Sequence, residues 1–240
     1  METTWGRLKK EMNNNINRSF HAFHSKSDWT TFIVNALKKQ IDVAIDQSRE
    51  AQIILPGGTT PAPIFEALAK ENLPWEKLRW WLGDERFVGK NNSLRNECML
   101  EQSFGSAWEH ILPRFMSWGE ELSADIAAQK MHRLLTHYFP PKTCPDFTLL
   151  GLGDDGHTAS LFPSSTVLQE SQLLAAATSE VWNGAQRLTF TLPFLNKSTV
   201  VCFAARGQNK RKVIEKFRKG DCDLVASRVL AKNILICWDS

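Results

Sequence analysis

The sequence predicts an α/β domain: a largely parallel sheet covered by helices on both faces. Three observations carry this. Short apolar runs of strand length alternate with segments of helical period through both halves of the chain, as βαβ units do. Runs such as "AQIIL" (51–55) are apolar throughout, as strands buried on both faces are. The unusual polar residues cluster directly after these runs, at the carboxyl edge where open α/β sheets bind ligands.

Taken in order, residues 1–26 are polar and Asn-rich without a clear period, and are read as an irregular arm ahead of a single domain over 27–240. From Asp28, the residues Trp29, Phe32, Ile33, Leu37, Ile41 and Ile45 share one helical face, with Ser27 as the N-cap. The strand 51–55 leads through "PGGTTP" into a helix reaching about Lys70, with Pro61 or Pro63 in its first turn. "LRWWL" (78–82) is a second strand, followed by a polar loop and a helix over 94–102. Residues 103–121 carry no clear pattern. A helix over 123–139 places Ile126, Ala127, Met131, Leu134, Leu135 and Tyr138 on or near one face. Strands follow at 147–150, 173–177, 187–192, 199–204 and 233–237, with a basic helix over 209–218 before the last.

At 240 residues the chain has room for a sizeable core as one domain. The net charge of +3 and the lack of any Lys/Arg block longer than "NKRK" (209–212) give no footprint for nucleic acid. No run of 18 apolar residues offers a membrane span. Five cysteines (98, 144, 202, 222 and 237), an odd number with no C-x-x-C, fit reduced thiols, and with no apolar leader the expected setting is the cytoplasm. No metal-ligand spacing of the H-E-x-x-H kind is present, and the chain is expected to need neither metal nor cofactor. A monomer or homodimer is expected.

"FTLLGLGDDGHTASLFP" (147–163) contains Gly151, Gly153 and Gly156 at the spacing of a dinucleotide fingerprint. Two physical objections meet that reading. Asp154 and Asp155 would turn carboxylates toward a pyrophosphate, and Pro163 leaves little room for the helix whose N-terminus should hold it. His157 is the one histidine of six in a Gly/Asp loop at a strand end, where an imidazole is placed to take a proton from water and return it, with an adjacent Asp fixing its tautomer. Gly57, Gly58, Thr59 and Thr60 join a strand to a helix. The glycines allow close backbone approach, and the hydroxyls and free amides suit a phosphate. In "GDER" (83–86), Asp84 is an orienting or proton-handling carboxylate and Arg86 an anion contact. Ser160 has no G-x-S-x-G around it and reads as a local cap, while His21, His24, His132 and His137 read as surface residues.

In sequence, "GGTTP" (57–61), "GDER" (83–86), "DGHTASLFP" (155–163), "RLTFTLPFLN" (187–196) and "GQNK" (207–210) resemble the motifs of the 6-phosphogluconolactonase family. The resemblance implies a Rossmann-like sheet with a smaller subdomain, shared with glucosamine-6-phosphate deaminase. It also implies hydrolysis of 6-phospho-D-glucono-1,5-lactone without metal or cofactor. On it, His157 is the base that activates water, Asp84 the active-site acid and Arg86 a substrate or oxyanion contact. Arg187 and Lys210 are the phosphate pair, with Gly58 and Thr59 adding donors. Three positions depart from the usual pattern: Pro56 for Ser before the glycines, Gly89 for Pro after Val88, and Arg95 for Ser before Asn96. The alternatives are a deaminase/isomerase on the same fold, against which "HTASLFP" speaks, and a sugar-phosphate sensor, for which residues 1–50 offer no helix-turn-helix.

Overall fold

The computed structural model describes residues 16–240. In chain order its main elements are β1 (Asn17–Phe23), α1 (Lys26–Asp46), β2 (Ala51–Leu55), α2 (Ala62–Leu68), β3 (Leu78–Leu82) and β4 (Asp84–Arg86). Then come α3 (Asn96–Phe104), α4 (Trp108–Ile111), β5 (Phe115–Met116), α5 (Ala124–Tyr138), β6 (Phe147–Gly151) and β7 (Ala175–Trp182). The chain ends with β8 (Ala185–Phe190), α6 (Leu192–Leu195), β9 (Val200–Arg206), α7 (Arg211–Arg218) and β10 (Asn233–Asp239).

Seven strands form one sheet in the order β1-β10-β9-β6-β2-β3-β5, and every pairing in it is parallel. From β2 the chain winds outward through β3 to β5, then returns to the other side of β2 with β6 and continues through β9 to β10. The strand order therefore reverses between β2 and β6, and a crevice opens beyond the carboxyl ends of the strands at such a point. β4, β8 and β7 form a separate antiparallel sheet, the smaller subdomain.

The central strands are covered on both faces, which is why they read as continuous apolar runs: all five residues of β2 are buried, as are Trp80, Trp81 and Leu82 of β3. The expected stripe of α1 packs inward through Trp29, Ile33, Leu37 and Ile41, each at most 1% exposed. Trp29 also donates its indole N–H to the Cys237 carbonyl, 3.2 Å away, so this large side chain is buried with its polar atom paired. All five cysteines are free thiols. Among the described residues no helix is long and apolar enough to cross a membrane.

Several expectations are corrected. Residues 17–23 of the supposed arm form β1, paired along its length with β10, while residues 1–15 lie outside the described residues. β1 is a half-buried edge strand whose ladder partner is more than 200 residues away, so no local alternation marks it. The first helix is capped by Ser25, whose Oγ accepts from the Asp28 amide (3.3 Å), and not by Ser27. "DER" is a strand because β8 supplies its partners. The runs near 173–177 and 187–192 become the β7–β8 hairpin of the antiparallel sheet, outside the parallel one. Ile126 is 43% exposed, and Ala124, Ala127, Ala128, Met131 and Leu135 form the buried face of α5.

Candidate active site

A cleft of about 330 Å3 lies where the loops after β2, β3, β6 and β9 meet. Gly57, Gly58, Thr60, Asp84, Arg86, Asp154, His157 and Lys210 all line it. Thr59 and Arg187 do not. Hollows of about 610, 760 and 870 Å3 elsewhere are larger, but none includes His157, Asp84, Arg86 or Lys210. Converging charge, not size, distinguishes the cleft.

The Gly151–Gly156 loop folds back on itself. Gly153 N–H donates to the His157 carbonyl (2.9 Å) and Gly156 N–H to the Gly153 carbonyl (3.1 Å), so these amides are spent internally and are not left to hold a phosphate. No α-helix intervenes between β6 and β7. The loop instead presents an imidazole. His157 Nδ1 lies 2.5 Å from Asp155 Oδ1, which also accepts the His157 amide at 3.0 Å. With Nδ1 directed at a carboxylate, Nε2 is the nitrogen free to accept a proton. Burial alone would raise the Asp155 carboxyl. The His157 amide, the imidazole's charge and their hydrogen bond outweigh it and hold the group below the ordinary carboxylate range.

The ring lies over Gly153, where an added Cβ would stand 2.1 Å from Nδ1. Its centroid is 4.7 Å from that of Phe162, which stacks in turn on Trp182 at 4.1 Å and 16°. Gly153 thus serves the imidazole, and the hairpin tip of the small sheet backs it.

Asp84 is 9% exposed and its Oδ2 accepts the Ser160 hydroxyl at 2.7 Å. Ser160 is aimed inward by the turn at Ala159, whose φ of 48° is left-handed, and its amide donates to Thr189 Oγ1 at 3.2 Å. Ser160 is therefore not a local cap. Seventy-six residues separate it from Asp84, and nothing in the sequence signals that pairing. Both acids of "GDER" are buried. Glu85 is fully buried and accepts from the amides of Arg86 (2.7 Å), Asn96 (2.7 Å) and Glu97 (3.0 Å), closing the start of α3. Burial pushes its carboxyl up, against the pull of these amides and of the Arg95 charge. So anchored, Asn96 donates Nδ2 to the Asp84 carbonyl (2.8 Å) and lies against Gly57, where a Cβ would come within 1.9 Å of its Cγ. Gly58, at φ 83°, takes the left-handed turn that carries the chain past it.

The cations differ in their exposure to the cleft. Arg86 reaches the cleft and donates Nη1 to the Leu94 carbonyl at 2.6 Å. Lys210 Nζ donates to the Leu152 carbonyl (2.8 Å) and lies 2.7 Å from Asp154 Oδ1. Arg187, register partner of Arg86, is 5% exposed and lies beside it, outside the cleft lining. Burial, and then the neighbouring Arg86 charge, lower its guanidinium, and its Nη1 is buried with no hydrogen-bond partner. Among the described residues, one group could hold a metal ion: Asp221, Cys222 and Asp223, none of which lines the cleft.

Residues 24–238 match the family described as glucosamine-6-phosphate isomerases/6-phosphogluconolactonase. The chain belongs to this family. A 6-phosphogluconolactonase of Nostoc sp. is 36% identical over 228 residues, 88% of this chain and 91% of that one. A 6-phosphogluconolactonase of Synechocystis sp. is 34% identical over 194 residues, 77% and 78% of the two chains. The crystal structure of the 6-phosphogluconolactonase from Thermotoga maritima shares the fold, with a TM-score of 0.82 at 22% identity over 93% of this chain and all of that one.

Two departures from the usual family motifs have a structural account. Arg95 is 3% exposed and bridges the Trp118 carbonyl (2.8 Å), the Val88 carbonyl (3.2 Å) and Glu97 (3.3 Å), with Nε 3.7 Å from Glu85. It is an interior strut tying α3 to the segment after β5. Pro56 lines the cleft and lacks the amide and hydroxyl that a serine would present there.

Proposed function

We propose that this chain hydrolyses 6-phospho-D-glucono-1,5-lactone to 6-phospho-D-gluconate, with His157 as the base that activates water. The observation that carries the reading is the imidazole–carboxylate pair of His157 and Asp155 in one cleft with Lys210 and Arg86. The names and high coverage of the curated relatives support the substrate.

The chemistry follows from the arrangement. Asp155 orients the ring and stabilises the imidazolium that forms when Nε2 takes a proton from water. The hydroxide equivalent attacks the lactone carbonyl carbon. Arg86 stabilises the negative charge that develops on the carbonyl oxygen. Collapse of the tetrahedral intermediate breaks the ring C–O bond, and the imidazolium returns its proton to the departing alkoxide. The product is a carboxylic acid and a free hydroxyl, and the imidazole is neutral again. Asp84, held by Ser160, orients the ring hydroxyls. Gly57, Gly58, Thr60 and Lys210 receive the phosphate, with the buried Arg187 adding positive potential from beside Arg86. Binding energy from the remote phosphate positions the carbonyl against the water. As written, the reaction needs no cofactor, and it suits a cytoplasmic protein acting on a small sugar-phosphate lactone, without nucleic acid or membrane as partner.

The test is an assay of the purified chain on freshly prepared phospholactone beside glucosamine 6-phosphate. Lactone hydrolysis well above the spontaneous rate is expected, falling by about 10²–10⁴-fold in His157→Ala. Full activity in that variant removes His157 from the mechanism, and turnover of the amino sugar alone selects the isomerase reading.

A further inference from the structure

We infer that Asp154 is an intramolecular competitor for the ligand's phosphate, setting how tightly the cleft holds anions. The inference rests on the reading of Lys210 as a phosphate contact. Both residues line the cleft. Asp154 Oδ1 stands 2.7 Å from Lys210 Nζ as an ion pair and accepts a hydrogen bond from Asn209 Nδ2 at 3.3 Å, while the Leu152 carbonyl accepts an Nζ proton at 2.8 Å. An ammonium has three protons to donate; the Leu152 carbonyl engages one of them, and Asp154 holds the charge as an ion pair.

The exposures of the pair are unequal, and that makes it a competitor and not a mere strut. The Lys210 side chain is 15% exposed and built into the cleft wall, whereas that of Asp154 is 67% exposed. The carboxylate can therefore swing into water at little desolvation cost, and the ammonium cannot follow it. An arriving phosphate either displaces Asp154 or shares the site with a like charge a few ångströms away. Both routes subtract from anion affinity, and both vanish for a ligand without the phosphate. Asp155, the next residue, is committed to His157 and does not share this role. The consequence is a site that binds its phosphorylated ligand less tightly than its cations allow, and so releases a phosphorylated product faster.

Asp154→Asn keeps the shape and an oxygen acceptor while removing the charge. Inorganic phosphate binding is measured by calorimetry in the unaltered chain, Asp154→Asn and Lys210→Ala, at low and high salt. Alongside, kcat/KM is measured for phospholactone and for unphosphorylated glucono-1,5-lactone. Exposed pairs of this kind correspond to roughly two- to fivefold in an equilibrium constant. Asp154→Asn should therefore bind phosphate about two- to fivefold more tightly, with the gain shrinking at high salt. Its preference for the phosphorylated lactone should rise by the same factor. Unchanged or weaker phosphate binding in Asp154→Asn, with Lys210→Ala clearly weakened, overturns the competitor role and leaves the phosphate reading standing. Unchanged binding in Lys210→Ala removes the phosphate role of Lys210, and the competitor with it.

Discussion

Gly153→Ala isolates the placement of the imidazole from everything else in the cleft. An added Cβ would lie 2.1 Å from His157 Nδ1, 2.3 Å from Cε1 and 2.7 Å from Asp155 Oδ1. Ordinary contact begins near 3.4 Å, so the ring must retreat by roughly 1.3 Å. Gly153 is not among the residues with positive φ, so alanine strains no backbone there. The clash falls on a side chain that is 32% exposed and free to move outward, so the fold should survive with less than about 1 kcal/mol lost. A displacement of about 1 Å costs catalysis on the order of 10²-fold, or about 2.7 kcal/mol of transition-state stabilisation. The expected outcome is a phospholactonase kcat reduced about a hundredfold with a nearly unchanged denaturant midpoint. A variant that is stable and fully active refutes the assignment of Gly153 as the seat of the ring, and with it the demand for a tightly placed His157.

Four further outcomes follow from the same structure. Ser160→Ala leaves the buried Asp84 carboxylate without its hydroxyl donor, which should cost about 1–3 kcal/mol in chemical denaturation and lower kcat/KM; a variant matching the parent in both would dismiss the contact. Glu85→Ala strips three amides of their acceptor and leaves the Arg95 guanidinium short of a counter-charge, so a loss of about 3–5 kcal/mol is expected in urea melts. Because burial raises the Glu85 carboxyl, the folded state holds that proton more tightly than the unfolded chain. Its contribution is therefore full below the ordinary value of 4.5 and declines as pH rises from there toward the raised value, a limb that Glu85→Gln should lack; identical pH profiles for the two proteins would contradict it. Arg187→Ala removes a buried positive charge beside Arg86 without touching the reacting atoms, so KM for the phospholactone should rise up to about tenfold with kcat little changed, and an unaltered KM would count against its role.

The strands at 51–55 and 78–82 were legible residue for residue, because burial on both faces leaves an apolar run that composition alone reveals. The carboxyl-edge loops were legible for a related reason: polar residues that directly follow such runs have nowhere else to go in a parallel sheet. Hence Gly57, Gly58, Asp84, Arg86 and His157 could be named from the loops, and Lys210 from the resemblance of "GQNK" to the family motif, and the cleft gathers them. β1 and β4 were hidden because their ladder partners come from distant parts of the chain, and no local period records a bond made across such a separation. The same reason hid Ser160 beneath Asp84, the triple amide bond of Glu85 and the Trp182–Phe162 stack behind the imidazole. It also hid the pairing that sets the buried Arg187 opposite Arg86. What the sequence by itself determined was which polar residues gather at the carboxyl edge of the sheet. Only the tertiary structure decided which of them touch, which are spent on one another, as Lys210 is on Asp154, and which face open space, because those depend on through-space pairing that chain order does not encode.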